Sequence, residues 1–212
     1  GRRFGKLHVH PTAPSAPGHP EVLVIKADDT SKAVAGNRWH SDVSCDPEPP
    51  MGSILHMRQL PSTGGDTMFA NMYAAYDALS EPLKAFLSGL KAWHEGERTL
   101  GKTLGQKARN GQEYPRALHS VVRTHPETGR KALFVNSGFT TRIEGLCDKE
   151  SRAILDMLFE HVTTPEFQCR FRWREKSIAF WDNRSAQHYA LWDYFPHSRL
   201  GYRVTICGSK PE

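Results

Sequence analysis

Apolar residues along this chain recur in two rhythms, and the switches between them mark the elements. Glu21-Val-Leu-Val-Ile-Lys26, which follows a proline-rich loop over residues 11–20, has the β-branched content of a short strand. Gly52 to Arg58 reads as a second strand, ended by Pro61-Ser-Thr-Gly-Gly65. Lys131 to Asn136 follows the turn Pro126-Glu-Thr-Gly129, and Val121 with Val122 supplies the other arm of that hairpin. Gln168 to Arg174 alternates strictly, with Cys169, Phe171 and Trp173 on one face and three arginines on the other, the pattern of a solvated strand edge. Ser177 to Trp181 and Leu200 to Cys207 complete the predicted strands.

A helical period appears where Ser80 precedes Glu81-Pro82 and Leu83, Phe86, Leu87 and Leu90 recur on one face. Asp148 starts a second such run, with Ile154, Met157, Leu158 and His161 on one side, and Asn71 to Leu79 reads as a shorter helix. Residues 95–117 carry little apolar periodicity and are expected to be a long loop or lid. Many short strands with few helices and no strand-helix-strand alternation argue against a parallel sheet. They point to a mainly β, double-sheet structure with helical insertions.

Composition narrows the class. The 212 residues, 38% of them hydrophobic, suit one domain over 1–212 with a real core. No run approaches the roughly 18 apolar residues of a membrane span. The excess of 28 basic over 23 acidic residues is scattered, so it favours attraction of small anions over a nucleic-acid partner. Cys45, Cys147, Cys169 and Cys207 lie far apart with no Cys-x-x-Cys pair, which suits a reducing, cytoplasmic setting. Gly1-Arg-Arg-Phe-Gly5 reads like the middle of a protein, so an N-terminal portion is expected to be missing.

His40-x-Asp42 is the centre of the candidate chemistry. Residues at i and i+2 of an extended segment point to the same side and can grip one metal ion. His188, in a loop after the apolar strand Ile178 to Trp181, could complete a set of two histidines and one carboxylate. Such a facial triad leaves open positions on iron for a chelating cosubstrate and oxygen; zinc accepts the same ligands, although no His-Glu-x-x-His accompanies them. Arg199 and Arg203 share one face of the last strand, where inward guanidiniums need anions. Arginine suits a carboxylate or sulfonate because its planar fork donates two parallel hydrogen bonds.

Six motifs in order extend this picture: Asn37-Arg-Trp-His-Ser-Asp-Val43, Leu60-Pro-Ser-Thr-Gly-Gly-Asp-Thr67, Arg123-Thr-His-Pro126, Phe134-Val-Asn136, Gly138-Phe-Thr-Thr-Arg-Ile143, and Trp181-Asp-Asn-Arg184 through Gln187-His-Tyr189 to Arg199 and Arg203. Together they resemble the iron(II)/2-oxoglutarate-dependent taurine dioxygenase family, from about Arg3 to the C-terminus. The resemblance implies a double-stranded β-helix, the jelly-roll or cupin-like oxygenase core. It implies iron(II) held by His40, Asp42 and His188, with 2-oxoglutarate and O2 as cosubstrates. Thr67 and Arg199 would hold the distal carboxylate of 2-oxoglutarate, and Arg203 would face either the substrate's acidic group or the cosubstrate. His10 matches a substrate-contacting position, and Phe134, with Phe69, would form walls.

Three departures bear on specificity. Ala13, Gly36 and Cys45 stand where taurine-oxidising members carry tyrosine, asparagine and phenylalanine, which implies a wider pocket for an anion larger than taurine. The expected activity is hydroxylation of a C–H bond in a sulfonate, alkyl sulfate or aryloxyalkanoate, with release of succinate and carbon dioxide. A non-catalytic β-barrel that binds a metal or small anion is the alternative. No nucleic-acid or membrane partner is expected, and a homo-oligomer is consistent with the resemblance.

Overall fold

The structure is a computed structural model that describes residues 1–108 and 111–211. In chain order its elements are β1 (Ser15–Ala16), β2 (His19–Ala27), β3 (Gly52–Gln59), β4 (Thr67–Asn71), α1 (Met72–Asp77), α2 (Glu81–Leu87), β5 (Lys91–Glu95), β6 (Arg116–Ser120), β7 (Val122–Thr124), β8 (Lys131–Leu133), β9 (Thr140–Ile143), α3 (Asp148–His161), β10 (Gln168–Phe171), β11 (Ile178–Asp182), β12 (Ala186–Ala190) and β13 (Arg199–Ile206). The fold is mainly β with helical insertions, as the patterning predicts.

Two antiparallel sheets frame the site, one in the order β1-β2-β13-β3-β11 and the other β10-β4-β12. Register fixes which side chains face inward, because alternate residues of a strand point to opposite faces. On the five-stranded sheet Ala179, Leu55, Arg203 and Leu23 form one cross-strand row, and Trp181, Ser53 and Thr205 form the next. Leu55, Met57, Ala179 and Trp181 from this face pack with Phe69 of β4 and Phe171 of β10, so the two sheets share one apolar layer. A larger core lies under α1 and α3, where Met72, Leu133, Ile143 and Leu158 are fully buried.

Several expectations shift in detail. α3 buries Ser151, Leu155 and Leu158 and leaves Met157 exposed, about one residue round from the predicted stripe. Ser151 belongs inside because its hydroxyl accepts a bond from the backbone N–H of Ile143 at 2.8 Å, which holds the helix close to β9. Phe86, expected on the buried face of α2, is also exposed, while Leu87 is fully buried. The alternating run 168–174 pairs only over Gln168–Phe171; its Arg170 lies at the sheet edge and is bonded to Asp66 at 2.7 Å. Segment 95–117 is not merely a loop. It contains a π-helical stretch, Glu97–Thr103, and runs into β6, while its residues 109 and 110 lie outside the described part. No described helix is long and apolar enough to cross a membrane.

Candidate metal centre and anion pocket

β12 runs antiparallel to β4, and on its other side His188 makes a bridge to His40 through a reciprocal pair of backbone bonds, His40 N–H to His188 O at 3.1 Å and His188 N–H to His40 O at 2.8 Å. His188 thus lies within a strand, not in the expected loop. Residues 42–45 form a turn in which Val43 has φ +45°, a region that β-branched residues rarely adopt. The His-x-Asp pair is therefore brought together by a bridge and a turn instead of a continuous extended segment. Gly138 makes room for it, since a Cβ there would stand 2.9 Å from the His40 Cβ.

The ligand atoms of His40, Asp42 and His188 all lie within 4.8 Å of one another, the only such cluster among the described residues. Each histidine Nε2 is 3.8 Å from Asp42 Oδ1. Burial holds both imidazoles below their ordinary pKa, and for His188 the neighbouring His40 adds to the effect. Burial alone would raise the Asp42 carboxyl, but Arg203, His188, His40 and the Ser53 hydroxyl together pull it below the ordinary range. The result is two neutral imidazoles and one ionised carboxylate, the protonation state a divalent ion requires. His40 Nδ1 also lies 2.7 Å from the Arg38 carbonyl, a bond that leaves Nε2 as the free lone pair.

The cluster opens into a cavity of about 280 Å³ lined by His10, Ala13, Gly36, Thr67, Arg199 and Arg203 as well as the three clustered residues. Arg199 is 3% exposed and donates from Nε to the Gly65 carbonyl at 3.1 Å, while its Nη2 is buried without a partner. Gly65 can offer that carbonyl because it sits at φ +74°, and a Cβ there would lie 3.3 Å from Arg199 Cδ. Thr67 Oγ1 accepts a bond from Trp173 Nε1 at 3.0 Å, which leaves its own proton free to donate. An orphaned buried guanidinium nitrogen on the same cavity wall as a hydroxyl donor is a fit for a carboxylate. The His-Asp-His donors likewise fit iron(II).

The other sequence-predicted residues divide. His10 faces the cavity with Nδ1 accepting from the backbone N–H groups of Thr12 and Ala13 at 3.2 and 2.9 Å. Arg203 lines the cavity and bonds Asp42 Oδ1 through Nη1. Phe134 does not line the cavity: it stacks on His94, with the Arg123 guanidinium over its ring. Phe69 packs against Trp181 and His188, behind the wall. Cys45 is fully buried beneath Val43, Leu100 and Phe139 and contributes no surface to the pocket. Leu100, Leu104, Phe139, Val34 and Trp192, which sequence reasoning did not single out, supply much of the apolar wall. The i, i+4 spacing of Leu100 and Leu104 was the available signal, inside a stretch otherwise poor in period.

Two of the motifs are scaffolding. Asp182 is gripped by Arg184, with Nε and Nη2 at 2.9 and 2.7 Å from its two oxygens, and His125 Nε2 lies 3.1 Å from it, so the 123–126 and 181–184 segments are tied behind the cluster. His94 is also structural. It is fully buried against Ser44 and Thr140 at 3.0 and 3.3 Å, and its pKa is pushed down to about 3 by burial and then by His119. The unfolded chain protonates this group near pH 6.5 while the folded chain does not, so its contribution is intact above pH 6.5 and lost as pH falls towards 3. It should cost on the order of 1 kcal/mol by pH 5.5. Thermal melts in chelator at pH 7.5 and 5.5 should therefore show a larger drop for the parent than for His94→Gln.

The family model for taurine catabolism dioxygenases, TauD and TfdA, matches residues 1–205. The chain belongs to this family. Among family relatives it is 37% identical to an alkylsulfatase of Acinetobacter baylyi over 97% of this chain and 66% of that one. It is 33% identical to an alpha-ketoglutarate-dependent sulfonate dioxygenase of Saccharomyces cerevisiae over 100% of this chain and 54% of that one. A crystal structure of a taurine dioxygenase from Burkholderia xenovorans superposes with a TM-score of 0.82 at 38% identity, covering 99% of this chain and 70% of that one. The chain thus spans between about half and two thirds of the length of these curated family relatives.

Proposed function

We propose that this chain is the oxygenase domain of an iron(II)- and 2-oxoglutarate-dependent dioxygenase that hydroxylates a small anionic organic molecule. The substrate class is a sulfonate, alkyl sulfate or aryloxyalkanoate, and the two facing sheets form a double-stranded β-helix core. The observation that carries the reading is the pairing, in one cavity, of a neutral-imidazole and carboxylate cluster with the buried, half-satisfied guanidinium of Arg199. A non-catalytic binder of a metal or of a small anion would need only one of the two.

In this reading His40, Asp42 and His188 would hold the iron, while Thr67 and Arg199 would hold the distal carboxylate of 2-oxoglutarate. Iron(II) would supply the oxidation in which O2, 2-oxoglutarate and the substrate C–H become succinate, carbon dioxide and a hydroxylated substrate. The chain's own share is positioning and exclusion of water. Leu100, Leu104, Phe139 and Val34 give the apolar walls, and His10 stands on the same cavity as a polar group for the substrate's anionic end. Arg203 is bonded to Asp42, so its positive charge is already matched by a carboxylate, which favours Arg199 over Arg203 as the cosubstrate clamp. Hydroxylation of a carbon bonded to a sulfonate, sulfate or aryloxy group would then expel sulfite, sulfate or a phenol and leave a carbonyl.

The test is substrate-dependent succinate release with iron(II), 2-oxoglutarate and O2 across sulfonates, alkyl sulfates and aryloxyalkanoates. At least one class should raise succinate formation well above the substrate-free rate. No succinate with any of them, from protein that binds the metal, would favour the non-catalytic alternative.

A further inference from the structure

Asp42 offers two oxygens, and the chain treats them differently. Oδ1 lies 3.8 Å from each histidine Nε2 and also accepts from Arg203 Nη1. Oδ2 accepts from the Ser53 hydroxyl at 2.6 Å. Ser53 is wholly buried, and Asp42 and Asn183 are each 2% exposed, so bulk water does not compete for these groups.

The direction of every bond in this network follows from chemistry. Asn183 Oδ1 accepts from the backbone N–H of Asp42 at 3.3 Å and from the indole N–H of Trp181 at 3.0 Å. Both partners can only donate, so the amide has one possible orientation. Its Nδ2 is thereby turned towards Ser53 Oγ at 3.3 Å. With that lone pair taken, the serine proton goes to its closest acceptor, Asp42 Oδ2, rather than to Thr205 Oγ1 at 3.4 Å.

We propose that Ser53 and Asn183 are positioning residues that hold Asp42 as a one-oxygen ligand. The proposal rests on the metal reading above and adds to it. A carboxylate free to rotate could present both oxygens to the ion and fill a position that a bidentate cosubstrate or O2 needs. With Oδ2 held by Ser53 and Oδ1 by Arg203, the carboxylate cannot rotate freely, and Oδ1 is the oxygen kept beside the two imidazoles. The arrangement is set by register, since Ser53 of β3 is the Cα partner of both Trp181 and Thr205 across the sheet.

The experiment is a titration of the full chain with cobalt(II) alone, followed by ligand-field absorption, for the parent, Ser53→Ala and Thr205→Val. Thr205→Val removes a buried hydroxyl that lies 3.4 Å from Ser53 Oγ and makes no described bond to Asp42. Ser53→Ala should bind cobalt about 10- to 100-fold more weakly, the usual scale for loss of an outer partner to a ligand. Its visible bands should also change in position and intensity as the freed carboxylate alters the donor set around the ion. Thr205→Val should stay within about twofold of the parent, a margin near 0.4 kcal/mol. Parent-like affinity and spectrum in Ser53→Ala would overturn the proposal, as would an equal loss in Thr205→Val. Should Ser53→Ala fail to fold, Asn183→Ala decides: a severalfold loss supports the proposal and none overturns it. A parent that binds no cobalt at all would instead remove the metal reading itself.

Discussion

Asp42→Ala should lose both metal binding and iron-dependent turnover of 2-oxoglutarate. The loss is expected to exceed that of an ordinary ligand, because Asp42 has two jobs. It contributes the only anionic oxygen of the cluster, and its Oδ1 is bonded to Arg203. Without it the partly buried Arg203 guanidinium would remain beside His40 and His188 with no countercharge, so an incoming divalent ion would meet a positive field where the parent presents a neutral one. Removing one partner of such a pair typically costs about 3–5 kcal/mol of folding stability. Denaturant melts in chelator should report that cost independently of the metal. Succinate formation at the parent rate would show that this carboxylate is not a ligand.

Arg199→Ala should chiefly raise the concentration of 2-oxoglutarate needed for turnover. A charge-assisted, fully desolvated contact of this kind is worth about 2–4 kcal/mol, roughly 30- to 1,000-fold in apparent affinity. The effect should fall on KM for 2-oxoglutarate, with cobalt affinity unchanged, because Arg199 is held by the Gly65 carbonyl and makes no described bond to the three clustered residues. Arg199→Lys should recover only part of the loss, since a point charge cannot reproduce the planar fork. An unchanged KM would mean that the clamp lies elsewhere on the cavity wall.

The strands visible in the sequence were those whose inward positions are apolar, such as β2 with Leu23 and β3 with Leu55 and Met57. β1, β4, β5, β6, β9 and β12 escaped notice. In β12 the buried residues are Gln187 and His188, and in β5 one is His94, so the expected alternation of apolar inside and polar outside is masked. These strands carry polar groups inward because the site and its supports are built there. The composition of the candidate metal cluster was legible, because three residues of the right types stand in two motifs that match a family. What bonds its carboxylate was not. That Arg203 reaches Asp42, and that Ser53 and Asn183 complete the network, depends on cross-strand register between segments about 130 to 160 residues apart.

One consequence follows from the bridge between His40 and His188. Main-chain bonds set the spacing of the two histidines, and such bonds are indifferent to the side chains around them. The cavity wall, by contrast, comes from Val34, Leu100 and Leu104, on segments outside that bridge. Substitutions in that wall should therefore reshape the pocket while leaving the spacing of the two histidines as it is, so the two properties can be varied one at a time.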